Sequence, residues 1–537
     1  MLQKPKNQAR SSEALYCLQG SFHSFADSKV HFETFMTFTI RQLASNVSDF
    51  NISGNNVVWR GFDGNDTEIY LNNGSSTIQL TFNSFSDSSP DISGNNVVWE
   101  GYDGINSEIY LFDGSSTIQL TDTNTNGYGP EISGNNVVWQ GSDGTDPEIY
   151  LFDGSSTIQL TDNNGYDYPP QISGNNVVWQ SYGGEAEIYF FNGSSTIQLS
   201  DSSNNDFPPK IFDNNVVWSS YEGNDEEIYL FDGSSTIQLT NNSFNDYDAQ
   251  IYSNKVVWLG SDGTDTEIYL FDGSSTIQLT DNSFNDSSPK IFGNNVVWSG
   301  YDGNDSEIYL YNGSSTIQVT DNNSEDYSPK IFGNNLVWLS TSSPASIGSD
   351  LFSTTLPLWS SVTTTLPADV NDLTLTGADN INGFGNSLNN TLTGNEANNL
   401  LSGKSGDDTL LGGMGSDRLV GGLGADILTG GDGPDRFIRK YSNTGVDTIT
   451  DFNVFARDTF LVSASGFGGE LVRGTVITEA QFTVGEAALD ESDRFIYNST
   501  TGGLFFDADG IRISEAIQIA QLSSGLAMTN ANILVFA

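Results

Sequence analysis

Residues 90–121 read PDISGNNVVWEGYDGINSEIYLFDGSSTIQLT, and this passage decides the fold of two thirds of the chain. Four short runs of β-branched, aromatic or apolar residues are led by Ile92, Val97-Val98-Trp99, Ile109-Tyr110-Leu111 and Thr117–Leu120. Gly-Asn-Asn and Asp-Gly breaks separate them, as tight hairpins require. Nothing in the passage has a helical period. The unit recurs eight times, marked by Trp59, Trp99, Trp139, Trp179, Trp218, Trp258, Trp298 and Trp338, at steps of 40 residues with one of 39. Four strands in about 40 residues is the size of one β-propeller blade. Such a unit cannot bury its own apolar faces. It must stack on its neighbours, so the repeated tryptophan reads as core between blades.

An open ring would leave unpaired strand edges. Thr39-Ile40-Arg41-Gln42-Leu43 imitates the fourth-strand run STIQL ahead of the first unit. The eighth unit begins normally with Lys330-Ile331-Phe332 and Leu336-Val337-Trp338, continues as Asp350-Leu351-Phe352, and lacks a clean STIQL. The N-terminal strand is therefore expected to complete the last blade, giving eight blades, with seven as the alternative. The pattern ISGNxVVW…DG…EIYL…D resembles the TolB-like propeller repeats of microbial surface and secreted proteins over residues 36–365. That resemblance implies a fold and leaves activity open.

The two tight turns of the unit hardly vary, whereas the loops between units differ. One face is expected to be generic and the other individual. The individual face carries Asp63, Asp103, Asp143, Glu222, Asp262 and Asp302 at equivalent positions, and Tyr166, Tyr168, Phe207, Tyr247 and Tyr327 between units. Carboxylates with aromatics can bind sugars or cationic groups. The plainer reading is that the acids solvate turns and the aromatics pack between loops. No histidine or cysteine follows residue 35. Histidine triads and cysteine nucleophiles are thereby excluded there, although a carboxylate pair could still act on glycosides. Acids repeated in register look like architecture, and the propeller is read as non-catalytic.

The net charge is 19 − 68 = −49 over 537 residues, which repels nucleic acid and favours multivalent cations. Cys17 is the one cysteine, so no internal disulfide forms, and no apolar run is long enough for a membrane span. Residues 1–35 hold His23, His31, Lys4, Lys6, Arg10 and Lys29, and read as a disordered extension or an over-extended start before Met36.

From residue 403 the period falls to nine. Gly412–Val420, Gly421–Thr429 and Gly430–Ile438 each follow GGxGxDxUx, preceded by Gly403–Leu411, which keeps the fourth-position glycine, the aspartate and the apolar slot. Upstream, Asn399 and Asn390 replace the aspartate, while Leu401 and Leu392 keep the apolar slot. This is the RTX calcium β-roll pattern, and the segment 366–439 is similar to that family. The candidate metal residues are Asp408, Asp417, Asp426 and Asp435 with Gly406, Gly413, Gly415, Gly422, Gly424, Gly431 and Gly433. Glycines allow turns with positive φ and inward carbonyls. Calcium takes six to eight such hard oxygens at about 2.3–2.6 Å, and the lack of soft ligands argues against zinc or copper. The resemblance implies two nonapeptides per coil, with Asp408 and Asp426 on one side and Asp417 and Asp435 on the other, and the asparagine copies as caps. Folding there is expected to depend on calcium.

Residues 440–537 resemble the region that follows such repeats in type I secreted proteins. The passages are Val446–Phe452, Asp458–Val462 and Phe505–Gly510, with an apolar end Asn532–Ala537. Asn530 and Asn532 stand where that family commonly has an acid. The resemblance implies export by an ABC-type channel through an uncleaved C-terminal signal; an ordinary β cap on the roll is the alternative. The sequence thus describes an all-β chain: an eight-bladed propeller, a parallel β-roll of calcium-binding nonapeptides and a β-rich secretion region. The expected function is extracellular: calcium binding plus recognition of carbohydrate or a surface protein. A secreted polysaccharide hydrolase or lyase and a structural surface-layer component are the alternatives.

Overall fold

The computed structural model describes residues 38–122, 125–142, 144–201, 205–341, 348–367, 370–511 and 514–536. The expectation for residues 1–35 lies outside them. The chain divides into two compact units between Thr355 and Leu356. The sequence had drawn that boundary at 365/366.

In the first unit the second to seventh repeats each make one antiparallel sheet, and the first and eighth share another. In the second repeat, Asp87–Ser93, Asn96–Tyr102, Ser107–Phe112 and Thr117–Gln119 pair in chain order. Trp99 lies opposite Tyr110 in the register, and the two rings stack at 5.8 Å and 14°. The same pair recurs as Trp59–Tyr70, Trp139–Tyr150, Trp179–Tyr189, Trp218–Tyr229, Trp258–Tyr269 and Trp298–Tyr309, and as Trp338–Phe352 in the eighth repeat. All eight tryptophans are at most 3% exposed. Their apolar partners come from two repeats: Ile92, Val97 and Trp99 pack against Val58, Ile69 and Leu71 of the preceding repeat. The tryptophan is thus core between sheets, as its fixed place implied.

The first strands of consecutive repeats touch one another in order, and the last, Glu325–Phe332, touches the first, Arg41–Ser53. An asparagine ladder follows the same path. Asn56 Nδ2 donates to Gly94 O at 2.7 Å, Asn96 to Gly134 O at 2.9 Å and Asn136 to Gly174 O at 2.9 Å. Asn335 of the last repeat donates to Gly54 O of the first at 3.0 Å. The 13-residue strand Arg41–Ser53 joins the last and first repeats into one seven-stranded sheet. Its later part pairs with Asn56–Phe62, while Arg41 and Gln42 face Ser353 and Phe352 of Ser349–Thr355. In the other repeats a loop separates these two roles.

The second unit is built on two mainly parallel sheets. Thr409–Met414 pairs with Ile427–Asp432, and Leu400–Ser405 with Arg418–Leu423, each at a register offset of 18 residues. The chain therefore visits the two sheets alternately, one nonapeptide per visit. The apolar eighth residues Leu410, Leu419, Leu428 and Phe437 are at most 2% exposed between the sheets. Both sheets continue into the C-terminal region through Asp447–Ile449 and Ile517–Gln521, and through Thr459–Ser463 and Ile533–Phe536. One apolar core runs from Leu366 to Val535. The segments 366–439 and 440–537, which the sequence separates, thus form one compact body.

Candidate metal centre

The nine-residue turn places each glycine against backbone from the coil before it. Gly406, Gly413, Gly415, Gly422, Gly424, Gly431 and Gly433 all have positive φ, between 92° and 138°. A Cβ on Gly413 would lie 2.8 Å from Asn395 O, and one on Gly415 2.8 Å from Ala397 O; at Gly422, Gly424, Gly431 and Gly433 it would collide with the carbonyls of Lys404, Gly406, Gly413 and Gly415. Only glycine admits these oxygens so close. The result is a row of inward carbonyls at the turns.

The carboxylates run along the same turns. Asp408, Asp417, Asp426 and Asp435 are all at most 1% exposed. One oxygen of each is held by a backbone N–H 18 residues earlier: Asn390 to Asp408 at 2.8 Å, Asn399 to Asp417 at 2.8 Å, Asp408 to Asp426 at 2.9 Å and Asp417 to Asp435 at 2.8 Å. Asp408 and Asp426 are thereby brought together, as are Asp417 and Asp435. The other oxygen, Oδ2, is buried in all four and has no hydrogen-bond donor. It faces the first glycine of its own turn. A Gly412 Cβ would lie 2.5 Å from Asp417 Oδ2 and would also meet Gly430 O. Carboxylate and carbonyl oxygens thus share one small space with nothing to neutralise them. Burial pushes the Asp417 and Asp426 carboxyls up to about 7 and those of Asp408 and Asp435 up to about 6.

The ends of the row are different. Asn390 and Asn399 turn their side-chain oxygens the same way, but each accepts a backbone N–H, from Asn386 at 2.8 Å and Asn395 at 2.9 Å. Asn399 Nδ2 donates to Ile381 O at 2.7 Å. At the other end Asp447 and Asp458 continue the ladder, accepting from Asp426 N at 3.4 Å and Asp435 N at 3.0 Å. Their second oxygens are satisfied: Arg439 pairs with Asp447 at 2.6 Å, and Asn453 N donates to Asp458 at 2.7 Å. Four incomplete carboxylates stand between complete caps. The sequence reading assigned Asp447 and Asp458 to the tail and missed their place in the ladder. Steps of 21 and 23 residues to them hide the register.

An all-oxygen, anionic, buried donor set fits calcium and not a soft metal. An orphaned carboxylate oxygen is costly without a cation or a proton, so the residues fit the ion that the nonapeptide implies.

The candidate face of the first unit is more ordinary. Asp63, Asp103, Asp262 and Asp302 each accept a backbone N–H two residues on, at 2.7–2.8 Å, and so cap their own turns. Glu222 accepts from Tyr229 Oη at 3.0 Å. Asp143 lies outside the described residues. Tyr166 and Tyr168 are exposed and face each other at 4.8 Å, and Phe207 packs on Tyr221 at 5.3 Å. Tyr247 and Tyr327 are half-buried, the latter with its hydroxyl against Ser349. These aromatics are distributed among separate loops, and only Tyr166 and Tyr168 form an open pair.

The calcium-repeat family model, the RTX calcium-binding nonapeptide repeat, matches residues 384–419 and 411–438. None of the curated proteins matches the chain. Among solved structures, the propeller domain of the Trilobed protease from Pyrococcus furiosus is 14% identical over 54% of this chain and 97% of its own, at a TM-score of 0.38. The acylaminoacyl peptidase of Pyrococcus horikoshii is 13% identical over 55% of this chain and only 57% of its own length, at 0.38. A protein of Agrobacterium tumefaciens assigned as a TolB is 15% identical over 38% of this chain and 84% of its own, at 0.28. At such scores these likenesses carry no argument about function. The chain is all-β and contains RTX calcium-binding nonapeptide repeats.

Proposed function

We propose that this is a secreted, non-catalytic, calcium-binding protein. Its first unit is an eight-bladed propeller that offers a recognition face to carbohydrate or a surface protein. Its second unit is a parallel β-roll with an export region at its C-terminal end. The carrying observation is the set of four buried Oδ2 atoms on Asp408, Asp417, Asp426 and Asp435 that lack any donor. The resident ion would supply the missing positive charge. The chain's own residues do the rest: carboxylates and glycine carbonyls bind, the backbone N–H ladder orients each carboxylate, and the leucines exclude water. Metal binding and folding are then one event. Scarce calcium inside a cell leaves the roll loose for passage through an ABC-type channel; millimolar calcium outside sets it.

The test is a calcium titration of the full chain followed by circular dichroism and protease resistance of residues 356–537. A calcium-dependent gain of order is expected, and Asp417→Ala with Asp426→Ala should raise the calcium midpoint about tenfold or more, because ligand charge sets affinity. Equal order in chelator and in millimolar calcium would sink the reading.

A further inference from the structure

The repeat unit also carries buried acids that the turn-capping role does not use. The glutamate of each Glu-Ile-Tyr run is a charged residue at the edge of the core. Glu68, Glu267 and Glu307 are 0% exposed. One oxygen of Glu307 accepts Asn322 N–H at 2.7 Å, and one of Glu267 accepts Asn282 N–H at 3.0 Å; Glu68 is held by the Thr81 hydroxyl. The second oxygen of each is buried without a donor. Asp305 is 6% exposed, and neither of its oxygens has a partner. Carboxylate oxygens of Asp63, Asp66 and Glu68 lie within 4.8 Å of one another, as do those of Asp262, Asp265 and Glu267, and those of Asp302, Glu307 and Asp321. Among the described residues, no lysine or arginine pairs with any of these acids.

We infer that the acidic corners Asp63–Asp66–Glu68, Asp262–Asp265–Glu267 and Asp302–Glu307–Asp321 of the first, sixth and seventh repeats are a second class of calcium site, built into the propeller unit itself. Oxygens bound to one calcium ion at about 2.3–2.6 Å lie no more than about 5 Å apart, which is the spacing of these trios. The third repeat keeps the same three acids as Asp143, Asp146 and Glu148, with Asp143 outside the described residues. Asn106 replaces the second aspartate in the second repeat, and Gly183 replaces the first in the fourth. The rival way to neutralise the corner is a proton shared with the adjacent aspartates, such as Asp87 beside Glu68 and Asp326 beside Glu307.

Terbium, which replaces calcium and emits when a nearby aromatic ring absorbs, separates these outcomes in the full chain. Tyr309 and its stacked Trp298 adjoin the seventh corner, whereas residues 384–438 contain no tryptophan or tyrosine. Aromatic-excited emission should fall with Glu307→Gln, and by more than half with Glu68→Gln, Glu267→Gln and Glu307→Gln together. Asp417→Ala with Asp426→Ala should leave it unchanged. Asp302→Asn, which keeps the turn cap, is the second variant should the glutamine forms lose near-ultraviolet dichroism, and it too should lower emission. Emission unchanged by the corner variants, or abolished by the nonapeptide variants, overturns the inference. Neither result bears on the calcium-dependent folding of residues 356–537.

Discussion

The two units of this chain are both made of short repeats, but they reach stability differently. A 40-residue repeat buries a tryptophan, a stacked tyrosine and several β-branched residues against its neighbour, as in the Val58–Trp99 cluster. A nonapeptide buries one large apolar side chain, such as Leu419, together with a carboxylate, Asp417. Burial of a leucine contributes about 1.5–3 kcal/mol, and an orphaned polar group costs a similar amount. The 40-residue repeat thus rests mainly on apolar burial, whereas the nonapeptide sets one leucine against one buried carboxylate.

The sharpest way to break this contrast is to remove the core of one unit. Trp258 is 1% exposed, and Trp258→Ala should cost about 3–5 kcal/mol. The thermal transition of the first unit should fall steeply while the calcium midpoint of the second stays put. A joint shift would mean that the two units do not fold separately.

Proton competition is the next test. The ordinary aspartate value is 3.8, whereas Asp417 and Asp426 sit at about 7 and Asp408 and Asp435 at about 6. A raised folded value contributes stability below the unfolded value and loses it as pH climbs through the folded one. In chelator, residues 356–537 should gain order as pH is lowered from 8 to about 5. With calcium present the trend reverses, because protons must leave, and the calcium midpoint should improve as pH rises through 6 to 7. Dichroism across pH with and without chelator reads both arms.

The smallest effect probes a cap. Asn399→Asp deletes the donation to Ile381 O. The calcium-free form should lose about 1 kcal/mol, while the calcium-bound form gains a ligand. A change of the same sign in both forms, measured by urea denaturation, would contradict the distinction between caps and metal-bearing turns.

Much of this was legible before any coordinates. Tryptophans at steps of 40 can only be a stacked element, and glycine, aspartate and leucine held in phase over nine residues define a turn, a ligand and a core position. What stayed hidden has a physical reason in each case. Nothing in the local pattern marks Glu68 and Glu307 as buried, because a carboxylate in a strand normally faces solvent. Asp447 and Asp458 were obscured by insertions that break the nine-residue phase while leaving the spatial ladder intact. Thr39–Leu43 pointed to a strand that completes the last repeat, but that the same strand runs on to Ser53 and pairs with Asn56–Phe62 was hidden, because pairing on both sides cannot be read from local pattern.

That strand has a mechanical consequence. Arg41 and Ser353 are neighbours in the register although most of the repeat array separates them along the chain. Such distant pairing comes late and slowly in folding. A nascent chain cannot fasten the array until both its ends are free, so tension on either end would unzip this clasp first and leave the intervening sheets intact.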